Sequence, residues 1–161
     1  MIGIGDSNCK LAVYIENRPP LDAYLTLKVL MPAVEGELSK IAQETGNHWR
    51  KIINIYAKLA FALNPAVYLT WQSYRDSFLL TTESRQSLLF DDQIVTEDEN
   101  CINIICGKTY AIKLLGAHNL NWLDKDFAIG PTKNIIVTPY FDYRQLSNLK
   151  LEKLVSLISK L

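Results

Sequence analysis

Catalysis requires a nucleophile, a proton-transfer group, a metal ligand set or an anion cradle, and this chain offers few residues for any of them. Cys106, Gly107, Lys108 and Thr109 run together in CINIICGKTYAIKLLG. Gly-Lys-Thr is the tail of a phosphate-binding loop, but that motif places an earlier glycine five residues before its second one. Here the position is Ile102, inside an apolar run with no loop to wrap a phosphate. A simpler arrangement is an anion resting on the first-turn amides of a helix with Lys108 beside it, against a Lys108 that is merely solvated. Cys106 falls at the same helix start, where a thiolate is stabilised. A cysteine nucleophile needs a base, and the two histidines, His48 and His118, stand on other segments. Cys106 therefore reads as a core thiol.

The second candidate is TPYFDYRQ, residues 138–145. Tyr140 and Tyr143 offer faces for stacking, and Arg144 offers a planar cationic fork for a phosphate or carboxylate. Alternatively Tyr140, Phe141 and Tyr143 cap the sheet edge and Asp142 pairs with Arg144. The third is the loop ENRPPLDAY, with Glu16, Asn17 and Arg18. Two histidines are too few for an imidazole metal site. The acidic cluster Asp91, Asp92, Glu97, Asp98 and Glu99 lacks the alternating ligands and central glycine of a calcium loop, so it reads as a solvated loop. Neither a metal nor a cofactor is expected. Arg50, Lys51 and Lys58 could touch a nucleic acid backbone beside Trp49, but Trp49 falls on an apolar stripe and the charges on the outer face. Gly-x-Ser-x-Gly is absent, and no catalytic residue is assigned.

The elements that must position these groups follow from hydrophobic spacing. LAVYIE (11–16) has the composition of a buried strand, and Pro19 and Pro20 force the chain out of it. The spacing predicts a helix over 22–31, an interruption at Pro32 and helical recurrence of Val34, Leu38 and Ile41 up to Gly46. From Asn47, the set Trp49, Ile52, Ile53, Tyr56, Leu59, Ala60 and Leu63 makes a wide apolar stripe that ends at Asn64 and Pro65. AVYLTW (66–71) suits a strand, and residues 72–100 allow strand or short helix. CINIICG (101–107) and NIIVT (134–138) are runs apolar enough for burial on both faces. A short helix closed by Gly116 and a polar loop to GPTK separate them, and a last helix carries Leu151, Leu154, Val155 and Ile158 on one face. This rhythm predicts one α/β domain over 1–161, a three-layer α/β/α sandwich with a mainly parallel central sheet. The strands at 11–16, 102–106 and 134–138 should be parallel neighbours or next neighbours.

In such a sheet ligands bind beyond the carboxyl ends of the strands. Three ends would then bring Glu16, Asn17, Arg18, Cys106, Lys108, Thr138, Tyr140, Asp142, Tyr143 and Arg144 to one crevice. Composition narrows the partners: among 161 residues, 17 basic side chains balance 17 acidic ones and 48% are hydrophobic. No global field draws in nucleic acid or an anionic membrane surface, and no apolar run approaches the roughly 20 residues needed to span a bilayer. With no signal-like start and three unpaired cysteines, Cys9, Cys101 and Cys106, the expectation is a cytoplasmic protein with reduced thiols.

INIICGKTYAIKLLG followed by NIIVTPYFDYRQLSN resembles the last two βα units of the uracil-DNA glycosylase superfamily. There an apolar strand runs into Trp-Gly-x-x-Ala, and a later strand ends in His-Pro-Ser-Pro. By that resemblance Cys106, Gly107 and Ala111 match the first segment with cysteine in place of tryptophan. Thr138 and Pro139 match the His-Pro step with threonine in place of the histidine that assists base excision. LAVYIENRPPLDAY takes the place of the first strand and its water-activating loop without the Gly-Gln-Asp-Pro-Tyr-His sequence, leaving Glu16, Asn17 and Asp22 as stand-ins. The resemblance implies the architecture and a base-sized pocket walled by TPYFDYRQ, and the missing histidine weakens the excision activity it would otherwise imply. Two functions follow: a divergent or non-catalytic glycosylase-like fold binding a nucleotide or nucleic acid, or a protein-interaction or regulatory domain with no small-molecule site.

Overall fold

The computed structural model describes residues 1–96 and 98–161; Glu97, one of the acidic residues read as a solvated loop, lies outside the described residues. The chain runs through β1 (Gly3–Gly5), β2 (Leu11–Tyr14), α1 (Asp22–Leu25), β3 (Leu30–Met31), α2 (Glu37–Thr45), α3 (Asn47–Leu63), α4 (Trp71–Ser77) and β4 (Gln86–Leu89). It continues through β5 (Ile102–Cys106), α5 (Lys108–Leu115), a 3-10 turn at Ala117–Asn119, β6 (Asn121–Trp122), β7 (Ala128–Ile129), β8 (Ile135–Thr138) and α6 (Asn148–Ile158).

All eight strands form one sheet in the order β3-β1-β4-β2-β5-β8-β7-β6. Its centre, β4-β2-β5-β8, is parallel, with Tyr14 opposite Leu89 and Ile105, and Cys106 opposite Thr138. The strands read at 11–16, 102–106 and 134–138 are thus parallel neighbours, buried along almost their whole length, as two-sided coverage requires. The sheet is mixed, so the expectation of a mainly parallel sheet holds only in part: β1 pairs with β3 in parallel, but β1 pairs with β4, β7 with β8 and β6 with β7 in antiparallel fashion. Short reversals impose this: the turn between β6 and β7 is too short for a parallel crossover. On the other flank the reversal after β1 clasps the start of β4. Asp6 N–H donates to the Gln86 carbonyl (2.8 Å), and Lys10 and Leu11 N–H donate to the Arg85 carbonyl (2.7 and 3.2 Å).

Alternation along the strands sends side chains into two cores. Leu11, Val13, Leu88, Ile104 and Ile136 face α2, α3, α4 and α6, where Trp49, Ile52, Tyr56 and Leu154 are buried. Ala12, Tyr14, Ile105 and Val137 face Tyr110 and Ala111 of α5. The stripe read from Asn47 to Leu63 is the helix that fills the first core, and Ser147 caps α6 by accepting from Lys150 N–H.

Four local expectations change. The helix over 22–31 stops at Leu25, and the chain extends into β3 beside β1, because Arg18 draws the carbonyls of Tyr24, Leu25 and Leu27 onto its guanidinium. AVYLTW is no strand: Ala66 turns at φ 51°, and the Thr70 side chain caps α4 by accepting from Ser73 N–H. The polar loop before GPTK contains the β6–β7 hairpin. β1 carried no strand signal because two of its three residues are glycines, and Gly5 is required: at φ 142° a Cβ would meet the Gln86 carbonyl oxygen at 2.3 Å. Among the described residues no helix is long and apolar enough to cross a membrane, and no group of three metal-ligating side chains is present.

Candidate functional site

The parallel register brings the carboxyl ends of β2, β5 and β8 to one edge of the sheet, and the chain leaves each of them into a loop. Pro139 ends β8, and the turn behind it closes through Asp142 N–H to the Tyr140 carbonyl (2.7 Å). Phe141 turns into the core against Tyr56, with ring centroids 6.4 Å apart. Tyr140 lies along the edge instead. Its hydroxyl is 3.0 Å from His48 Nε2, the two rings stack at 5.7 Å, and which of the two donates depends on the imidazole tautomer. Burial raises the Tyr140 phenol, the nearby Cys106 adds to the rise, and the approaching Asn17 side chain draws it partly back. Gly107, at φ 98°, leaves room beside this ring: a Cβ there would lie 3.8 Å from it. His48 from the first turn of α3 and Tyr140 from the loop after β8 therefore meet at one hydroxyl, with Asn17 from the loop after β2 close by.

Most of the other residues read from the sequence are engaged elsewhere. Asp142 accepts from Lys51 of α3 at 2.9 Å, while Arg144 Nε stands 3.9 Å from it with the arginine side chain 87% exposed. The Asp142 carboxyl is held below its usual range, chiefly by the Lys51 ammonium. Tyr143 receives the Lys58 ammonium over its ring at 5.1 Å. TPYFDYRQ is thus pinned along α3 by His48, Lys51, Tyr56 and Lys58, so its main task is a turn, and only Tyr140 also forms the lip. Glu16 pairs with Lys113 of α5 at 2.7 Å. Arg18 folds back onto the α1 carbonyls and over Phe90. Lys108 rests on Trp122, 4.7 Å from its ring, apart from the Tyr140 cluster. Thr138 and Cys106 are buried side by side at the strand ends, and burial pushes the Cys106 thiol up. The Thr138 hydroxyl is buried with no partner.

Sequence reasoning missed His48, set aside as an isolated histidine. Its position one residue before the buried Trp49, at the margin of the stripe, was the available signal. It also missed that Cys9 and Cys101 lie with sulfurs 3.6 Å apart. All three cysteines are free; the contact between Cys9 and Cys101, in which either thiol can donate, lowers the Cys9 thiol and raises that of Cys101.

Three sizeable cavities lie away from the Tyr140 cluster. One of about 420 Å³ opens between α1 and α2, at Tyr24 and Ile41. One of about 310 Å³ lies at the amino ends of β2, β4 and β5, and one of about 300 Å³ beside Cys9 and Cys101. Asn17, His48 and Tyr140 line none of these cavities.

No curated protein and no solved structure matches the chain. One family model does, over residues 2–159, nearly the whole length. The chain belongs to the family of unknown function DUF6942.

Proposed function

We propose that the carboxyl-end crevice binds a planar, hydrogen-bonding ligand, a nucleobase within a nucleotide or a nucleic acid strand, in a divergent and non-catalytic glycosylase-like domain. The observation that carries this reading is the meeting of Asn17, His48 and Tyr140, from three separate elements, at the ends of β2, β5 and β8. Bases held outside a helix are bound by stacking on aromatic faces and by edge hydrogen bonds, and this cluster offers two rings and an amide. The two segments that carry the glycosylase resemblance leave adjacent parallel strands, and Gly107 opens the space against Tyr140. Ala111 follows Gly107 by four residues, one more than the glycosylase spacing.

Excision is not part of the proposal. It requires a group to position water and another to stabilise the departing base anion. Glu16 is paired with Lys113, Asp22 is exposed on α1, and buried Thr138 stands where the resembling motif has histidine. Calorimetric titration with uridine monophosphate and with a short single-stranded oligonucleotide tests the reading. Tyr140→Ala and Asn17→Ala should each weaken binding about tenfold or more, the scale of one lost base stack, and no uracil should be released from the oligonucleotide. A wild type that binds neither probe overturns the proposal.

The second reading, a protein-interaction domain, is favoured by a different surface. Leu25, Val29, Met31 and Val34 are exposed around β3, which ends the sheet, and an end strand offers its outer backbone groups for strand addition. Light scattering of wild type and Met31→Lys would detect self-association through that edge.

A further inference from the structure

The amino ends of the same strands enclose a different kind of space. Leu11, Gln86 and Ile102, at the starts of β2, β4 and β5, form its floor, and Ala60, Phe78 and Ile158 bring α3, α4 and α6 around a cavity of about 310 Å³. That volume falls at the small end of the range of about 300–1,000 Å³ typical of ligand sites. The walls are mainly apolar, with Phe78 edge-on to Tyr74 at 5.3 Å.

One polar group is left over just beneath its floor. Gln86 is only 6% exposed; its Nε2 donates to the Tyr74 hydroxyl, and its Oε1 has no partner. Rotating the amide by a half-turn would pair Oε1 and leave Nε2 alone, so one atom stays unpaired in either orientation. Buried polar groups are rarely left so. The backbone leading to Gln86 is also strained: Leu80, Glu83 and Arg85 hold φ of 62°, 72° and 59°, left-handed values that non-glycine residues rarely adopt. Such strain persists where neighbours over-determine it and gathers at ligand sites. Here the two amides on the Arg85 carbonyl fix the approach of Gln86.

We infer that this cavity binds a small uncharged molecule, a single ring or short chain carrying one hydroxyl or carboxamide head, with the head paired to the Gln86 amide and the Tyr74 hydroxyl. The charges at the mouth do not favour an ionised head. Lys10 is paired with Asp98 at 2.5 Å, Glu83 and Arg85 both face solvent, and burial raises the Tyr74 phenol, which stays neutral. This site is separate from the Tyr140 crevice, and its test is independent of nucleotide binding.

Amide-resolved NMR titration with benzamide and benzyl alcohol, compared with toluene and benzoate, reads the inference. Benzamide and benzyl alcohol should shift the amide signals of residues 60–64 and 85–88 and raise the melting temperature. Toluene and benzoate should bind at least about tenfold more weakly, because neither satisfies the amide without an unpaired or charged group. Gln86→Leu removes the amide while keeping an apolar floor, and should reverse the preference for benzamide over toluene. Ile158→Trp, at the half-buried end of α6, should fill the cavity and abolish binding of every probe. No binding by any probe, a benzamide preference that survives Gln86→Leu, or a high-resolution crystal soak showing only an ordered water on the Gln86 amide would each overturn it.

Discussion

The two ends of the parallel strands solve the same problem in opposite ways. At the carboxyl ends, His48 pairs with Tyr140 and Lys51 with Asp142 in a partly exposed cluster, with Asn17 close to Tyr140. At the amino ends, Gln86 is buried beside a cavity with half of its amide unmatched. Each end has one buried polar atom without a partner, the Thr138 hydroxyl and the Gln86 carbonyl oxygen. The Thr138 hydroxyl can still turn its proton, whereas the Gln86 amide is fixed by Tyr74 and by the clasped backbone before it. The carboxyl-end cluster suits a ligand whose larger part lies outside the protein, and the amino-end cavity, open at its mouth, suits one whose apolar body is held inside. The contrast also separates positioning from function: the residues richest in contacts, such as Asp142 and Arg18, hold loops in place.

The largest effect is expected where the amino end is built. Gly5→Ala would put a Cβ 2.3 Å from the Gln86 carbonyl oxygen and 2.6 Å from the Ser87 Cα, both backbone, at φ 142°. Neither can yield without separating β1 from β4, so the loss should exceed about 4 kcal/mol, or more than about 10 °C in melting temperature. A variant melting within about 2 °C of wild type would show that β1 does not approach β4 this closely.

Tyr56→Phe should come next. The buried Tyr56 hydroxyl lies 3.1 Å from the Leu11 carbonyl and 2.9 Å from the Ser87 carbonyl, so one proton serves the starts of both β2 and β4. Its removal leaves buried acceptors short of a donor, at about 1–3 kcal/mol. Hydrogen exchange should accelerate at residues 11–13 and 86–88 while the signals of Asn17 and Tyr140 keep their positions. Equal acceleration at both ends would mean that the sheet opens as one unit and that the two ends are not separately supported.

Thr138→Val sharpens the comparison further. Replacing an unpaired buried hydroxyl by a methyl of the same shape should be neutral or stabilising by up to about 1 kcal/mol. A loss of that size instead would reveal a bound water on Oγ1 and make the carboxyl end as fully satisfied as the rest of the core.

What could be read in advance follows the same division. Three of the four central strands were legible because VYI, INIIC and IIVT are apolar on both faces, whereas β4 lay in a stretch that suits strand or short helix alike; α3 was legible because its stripe is wide and its end is marked by Asn64 and Pro65. β1 was hidden by Gly3 and Gly5, whose role is set by a neighbour more than 80 residues away in sequence, Gln86 and Ser87 among the contacts. The end of the helix read at 22–31 was decided by Arg18, a long-range clamp with no periodic signal. At the site, the carboxyl ends of the strands gave Asn17 and Tyr140, but His48 arrives on a helix that is adjacent only in space. The amino-end cavity had no sequence signature, since it arises from strand starts and helix ends that lie far apart along the chain.

Asp142→Asn measures how firmly the aromatic turn is held. The Lys51 ammonium lowers the Asp142 carboxyl, so its folded-state pKa lies below the unfolded one. The pair therefore stabilises the protein at neutral pH and stops doing so as pH falls through the carboxylate range. The pair is partly solvated, with side chains 24% and 20% exposed, and is worth at most about 1 kcal/mol. The variant should melt slightly lower than wild type at pH 7 and alike at pH 2–3. A gap that widens toward acid would reverse the assignment.

The smallest stability effect belongs to Arg144→Ala, and it divides the two uses of the turn most sharply. With its side chain 87% exposed and its Nε 3.9 Å from Asp142, Arg144 contributes little to the fold, and the backbone N–H that it donates to Asp142 at 2.9 Å survives truncation. The melting temperature should move by no more than about 0.5 kcal/mol equivalent. If a nucleic acid strand crosses the Tyr140 crevice, the same variant should bind the oligonucleotide more weakly and with a shallower salt dependence, as the loss of one phosphate contact requires, while uridine monophosphate binding changes little. A variant that melts several degrees early would assign Arg144 to the turn, and unchanged oligonucleotide affinity at every salt concentration would confine the ligand to the space between Asn17, His48 and Tyr140.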